Sequence, residues 1–318
     1  MNMRKISHWV VVILGLGITL QMGLEVYSGF PKPTFLGSTT SDSANPGSTD
    51  TSGAVNTATR ASTAETTLSG ITATTAANQP APTSEIVISQ EVLDRIRQSD
   101  PANSDRNIAN YKNLLIKRDV HPKFKEEVER LVLLNHRISD LLIAYEFLYQ
   151  AYGQKQDLEA FVRQKEAGKA WDIIFQEYKS SHEEFRPRTF DSGELESLMA
   201  IAGITSDDIM IADRVSFVTA VPFKDLIKGK LESSKSWKEA NAGLDIVNSA
   251  GALPRVQISA EQINRYTQTA KLSEQQVAEA FVLATKVDEK PEIVIEKLRT
   301  GVSQETIMSE YWQQKYNG

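Results

Sequence analysis

The chain contains no cysteine, and that absence removes disulfides, thiolate metal sites, cysteine nucleophiles and lipid attachment through an N-terminal cysteine. Histidine is scarce. His8, His121, His136 and His182 are the whole set, and none stands two to five residues from another. The clustered ligands of a zinc site are therefore missing, and His182-Glu183-Glu184 lacks the second histidine of H-E-x-x-H. G-x-x-x-x-G-K-S/T, G-x-G-x-x-G and G-x-S-x-G do not occur either, so phosphate cradles and nucleophile elbows have no support. A surplus of positive charge is also lacking. The net charge is −6, and residues 251–318 carry eight Lys and Arg against nine Asp and Glu. The turn at Gly301 and Ser303 thus lacks the basic face that a helix-turn-helix DNA reader needs. No catalytic residue, cofactor, metal or nucleic acid is expected.

Long hydrophobic runs are few, and one of them is at the N-terminus. Arg4 and Lys5 precede a charge-free stretch that opens at Trp9 and closes at Leu24 (WVVVILGLGITLQMGL), with Glu25 beyond. A basic start, an apolar core and a polar boundary are the layout of a signal sequence. Sixteen residues of helix reach about 24 Å, short of the roughly 30 Å hydrocarbon core. Val26-Tyr27-Ser28 is a poor small-x-small match for cleavage before Gly29, which favours an uncleaved single-pass anchor over a secreted product. Arg4 and Lys5 keep the N-terminus cytoplasmic and place the remainder outside. Residues 1–28 are expected to be this anchor or signal peptide, and residues 9–24 the contact with the membrane.

Residues 29–84 have little that could form a core. Their interior, 31–83, is dominated by Ser, Thr, Ala, Gly, Pro and Asn. It cannot bury enough surface to offset its ordering entropy, so a disordered linker is expected. As a coil it spans roughly 40 Å, a spacer between membrane and domain.

Beyond the linker the pattern is helical. Three segments, 141–178, 208–244 and 276–311, share one order of residues. Phe161-Val162, Leu226-Ile227 and Val294-Ile295 correspond; so do Trp171, Trp237 and Gln304, and then Ile174, Ala240 and Ile307. Each segment reads as three helices. In the third, Val277, Ala280, Phe281 and Ala284 fall at i, i+3, i+4 and i+7, a narrow apolar stripe. Ser273 with Gln276 forms a capping-box signature, Pro291 opens the next helix, Gly301 ends it and Ser303 caps the last. Residues 88–98 (ISQEVLDRIRQ) and 258–268 (ISAEQINRYTQ) look like two copies of a preceding helix. Only 215–221 (VSFVTAV) is ambivalent between strand and helix. The expectation is an all-α array of about three three-helix units plus linking helices, in regions 85–203 and 204–318.

Ala280-Phe281-Val282-Leu283-Ala284, Val294-Ile295, Gly301 and Ser303 resemble short helical repeats of exported proteins from clostridia-like bacteria, patterned A-x-x-L-A, then V-I-x-x-K/R-x-x-G-x-S. The second segment departs from it, with Ser234 for the glycine and Ala240 for an isoleucine. The resemblance implies export and a helical array, and no activity.

The carboxylates Glu126-Glu127, Glu183-Glu184, Asp207-Asp208, Glu274 and Glu279 all sit where a solvated helix face or first turn is expected. Trp171 and Trp237 recur at one position within the apolar pattern, which favours core anchors over a sugar-stacking platform. The expected function is a membrane-tethered extracytoplasmic scaffold or interaction module, without catalysis, for a protein or cell-envelope partner. The alternative is a peptidoglycan-acting hydrolase or its accessory domain, which requires a carboxylic acid in an apolar pocket.

Overall fold

The computed structural model describes residues 9–13 and 86–318. The expected linker and most of the apolar N-terminal run therefore lie outside the described residues. Within them the chain is all-α, with fourteen α-helices and two short strands.

Capping chemistry sets the helix boundaries. α1 (Gln90–Ser99) starts on Ser89, whose Oγ accepts from Val92 N. α2 (Ser104–Lys117) and α3 (Pro122–Leu133) follow; Pro122 takes the first turn, where a missing N–H costs nothing. α4 (Ile138–Ala151), α5 (Gln156–Glu166) and α6 (Trp171–Ser181) form a first three-helix set. After α7 (Ser192–Met199) come α8 (Ser206–Thr219), α9 (Phe223–Ser233) and α10 (Trp237–Gly243). α11 (Ala260–Ala270) leads into α12 (Glu274–Val287), α13 (Pro291–Arg299) and α14 (Gln304–Asn317). The predicted capping box at Ser273 and Gln276 is present, Pro291 opens α13, Gly301 ends it with φ +85° and Ser303 caps α14. Pro222 stands at the N-cap of α9, one place ahead of the first turn. The ambivalent run 215–221 is helical as far as Thr219.

α4, α8 and α12 each have 14 residues and begin at 138, 206 and 274. Each ends on a non-glycine residue in left-handed conformation, Tyr152, Ala220 and Asp288, at a cost of about 1 kcal/mol or more.

Two expectations need correction. The sequence reading placed Ile258 inside a helix. Instead Arg255–Ser259 is a strand, β2, antiparallel to Trp9–Ile13, β1, with Trp9 opposite Ser259 and Ile13 opposite Arg255. Val256 and Ile258 point inward while Arg255 and Gln257 are exposed, a period of two too short to stand out beside the capping box that follows at Ser259. The stripe on α12 was also drawn too narrow. Ala278, Val282, Leu283 and Val287 are buried along with Val277, Ala280, Phe281 and Ala284. α12 packs against β2, α11, α13 and α14, so few of its faces meet water.

The buried residues form two clusters. The larger joins α1–α6 to α11–α14, with α14 lying on α4 and α6. The smaller gathers α8, α9, Trp237, Phe185, Ile246 and Leu253 around Tyr152. The α4–α5 turn ties into the segment after α10, because Val247 N donates to Gly153 O at 3.0 Å and Lys155 N to Asp245 O at 2.8 Å. A Cβ at Gly153 would collide with Leu148 Cδ2, so a larger residue there requires the Leu148 side chain to shift.

Candidate functional site

A cavity of about 470 Å³ opens between the C-terminal ends of α4, α6 and α8 and the flanks of α12 and α14. Its walls are set by helix register. Phe147 comes from α4, Phe217 from α8, Val282 and Leu283 from α12, and Met308 from α14. Phe147 is held by stacking on Phe175, with ring centroids 4.1 Å apart at 5°. The rim is Ser181, His182, Glu183 and Glu184, all exposed. A volume of this size is that of a small-molecule site.

The interior is cationic. Arg214 of α8 lies with its guanidinium 4.6 Å from the Phe185 ring centroid and 5.7 Å from that of Tyr152, and Nη2 donates to Ala151 O at 3.2 Å. Burial pulls the guanidinium below its ordinary value. Lys286 of α12 is half-buried. It has no hydrogen-bond or ion-pair partner among the described residues. Burial pushes its ammonium down to about 8, aided by repulsion from Arg214 and Lys179 and opposed by Glu279.

The lining carboxylates are already engaged. Glu305 accepts from Lys179 Nζ at 2.9 Å, and Glu279 from Gln275 Nε2 at 2.9 Å. At the rim His182 stacks on Tyr178, with centroids 3.9 Å apart, and its Nδ1 lies 2.7 Å from Tyr178 O. A carbonyl there requires Nδ1 to carry the proton. The same nitrogen cannot then take one from Ser181 Oγ at 3.1 Å, which itself donates to Tyr178 O at 2.9 Å. The Ser181-His182 contact therefore does not prepare a nucleophile.

The residues singled out from the sequence go elsewhere. His121 Nδ1 accepts from Lys123 N at the start of α3, and Nε2 meets Glu239 at 3.2 Å. His136 pairs with Glu166 at 2.8 Å. His8 lies outside the described residues. Trp171 and Trp237 are fully buried, at 0% and 2% exposure, as core anchors. The Trp237 Nε1 donates to Asp208 Oδ1 at 2.7 Å. The reading of the acids as solvated fails at several positions. Asp207 and Asp208 are buried, along with Asp140, Glu146, Asp213 and Glu305. Asp207 pairs with Arg255 at 3.0 Å, and Asp208 completes the Thr205 capping box. Burial raises the carboxyls of Asp140 and Asp157 against the pull of nearby donors and cations, but neither lines the cavity.

No protein-family model, curated protein or solved structure matches the chain. Among the described residues no group of three or more His, Cys, Asp or Glu is placed to hold a metal ion. In the same residues no helix is long and apolar enough to cross a membrane.

Sequence reasoning passed over Lys286 and Arg214. The signal was there: Gln275, Glu279 and Lys286 make a polar line along a helix whose middle is otherwise largely apolar. Arg214 is likewise the one basic residue of α8, followed by Val-Ser-Phe-Val.

Proposed function

We propose that this chain is a membrane-tethered extracytoplasmic interaction module, without catalytic activity, that holds a ligand in the cavity between its helical units. The carrying observation is the make-up of that cavity: Phe147, Phe217, Val282, Leu283 and Met308 stand in one lining with Lys286 and Arg214, and Glu279 and Glu305 are already held by Gln275 and Lys179. A hydrolase needs a protonated carboxyl facing its substrate. The carboxyls raised by burial, Asp140 and Asp157, are not among the residues that line the cavity. The three-unit array is part of this reading, supported by the 68-residue spacing of α4, α8 and α12 and by their left-handed caps.

The tether is residues 9–24 in the bilayer, with the linker as spacer. A tethered chain cannot keep β1 on β2, so the ladder forms only when the run is out of lipid. Protease shaving of intact protoplasts carrying a C-terminal tag tests the arrangement. Loss of the tag is expected, and its survival overturns the topology. The absence of native cysteine makes a second readout clean. Val11→Cys with Gln257→Cys, opposite each other in the ladder, stays reduced in the membrane-bound protein. A disulfide there contradicts the tether.

A further inference from the structure

Lys286 is an ammonium without a hydrogen-bond or ion-pair partner among the described residues, on the wall of a cavity that also presents Phe147, Phe217, Val282, Leu283 and Met308, and such a charge is stable only with a counter-ion or with water. The groups around it define the ion it suits. From α8 comes Arg214, whose guanidinium face is covered by Phe185 and Tyr152 and one of whose donors is spent on Ala151 O. α6 contributes Lys179, paired with Glu305 of α14. From α12 itself comes Glu279, one helical face along. The phenols of Tyr152 and Tyr178 stay protonated, since burial raises both, and His182, Glu183 and Glu184 remain at the solvated rim.

A dianion is a poor fit to this arrangement. Phosphate recognition uses several converging N–H donors, whereas among the described residues Lys286 is the cavity ammonium without an ion-pair partner, and Glu279 and Glu305 stand on the walls. A single negative charge on an apolar chain matches Lys286 and the apolar side chains beside it. Its head would meet Lys286, with Arg214 lending field, and its tail would lie along Phe147, Phe217, Leu283 and Met308.

We infer that the cavity binds an amphiphilic monocarboxylate, its carboxylate against Lys286 and its hydrocarbon chain among the α4, α8, α12 and α14 side chains. This rests on the reading of the cavity as a ligand site, and it adds the ligand's chemical class.

The test is calorimetric titration of the full-length protein at pH 7 with octanoate, octanol and inorganic phosphate. Lys286→Met, Lys286→Arg and Ala151→Phe are run in parallel and checked for unchanged helicity. Ala151 lines the cavity, so Ala151→Phe reports whether binding occurs there. Octanoate binds at one site and octanol at least about tenfold more weakly. Lys286→Met loses about tenfold for octanoate and nothing for octanol, and Lys286→Arg stays within about threefold of the parent, as a desolvated charge pair requires. If octanol binds as well as octanoate and Ala151→Phe abolishes both, the cavity is a ligand site and the carboxylate inference is wrong. If phosphate binds as tightly as octanoate, the apolar half of the inference is wrong. If octanoate binding is absent or indifferent to Ala151→Phe, the cavity reading itself falls, and the protease result still decides the topology independently.

Discussion

Glu146 and Arg214 occupy the ninth position of α4 and α8, and they show two ways of placing a charge inside a helical protein. Glu146 is sealed at 1% exposure and answered from every side. Arg118 Nε and Nη2 donate at 2.8 and 2.6 Å, Lys315 Nζ at 3.1 Å and the Tyr316 hydroxyl at 2.8 Å. Burial alone would raise the Glu146 carboxyl. Arg118, Lys315 and Tyr316 outweigh it and hold the group below the usual carboxylate range. The cluster clamps the last turns of α14 onto α4. Arg214 lies against the Phe185 and Tyr152 rings and donates to Ala151 O, and Lys286 near it has no ion-pair partner among the described residues. Glu146, answered by Arg118, Lys315 and Tyr316, is architecture, whereas Lys286 faces a cavity with room for a ligand.

Breaking the first region should have the largest effect. Glu146→Ala leaves two cations facing one another without their acid and is expected to cost about 3–5 kcal/mol in urea unfolding. Because the folded carboxyl is depressed, this stability is complete at neutral pH and is lost as pH falls through the carboxylate range. A variant as stable as the parent would mean that the clamp contributes nothing. Next is Phe281→Ala on α12, buried at 7% exposure, expected to cost about 3 kcal/mol through the void it leaves.

The cavity should respond in the opposite direction. Lys286→Met is expected to stabilise the free protein by about 1–2 kcal/mol at pH 7, since it removes a desolvated, unpartnered ammonium. The sign follows from its depressed value. The destabilisation is full below about pH 8 and fades as pH rises toward the ordinary lysine range, so the gain from methionine shrinks in parallel. A loss of stability at pH 7 would mean that Lys286 is a structural partner. The smallest effect belongs to Glu279→Ala, expected within about 0.5 kcal/mol because the residue is half-solvated and, among the described residues, bonded only to Gln275.

How far the sequence carried this comparison depends on the range of the forces involved. Local signals were legible. Ser273, Pro291, Gly301 and Ser303 mark helix boundaries through contacts within four residues, and the structure places each of them there. The core roles of Trp171 and Trp237 followed from their recurrence in the apolar pattern. What stayed hidden was long-range. Glu146 finds Lys315 and Tyr316 from 169 and 170 residues away, and nothing near Glu146 signals a buried acid. Lys286 read as one more solvated lysine because the residues that desolvate it come from α4, α6, α8 and α14. Strand β2 was missed because its pairing partner lies some 250 residues upstream.

Proton linkage tests the central claim most directly. At about pH 8.5 Lys286 is partly deprotonated, and a carboxylate seated against it must restore the proton. Octanoate binding, measured by calorimetry in two buffers of different ionisation enthalpy, should take up a substantial fraction of one proton per site, and Lys286→Met should abolish that uptake. Binding with no proton uptake in the parent protein, or with the same uptake in the variant, would contradict the account.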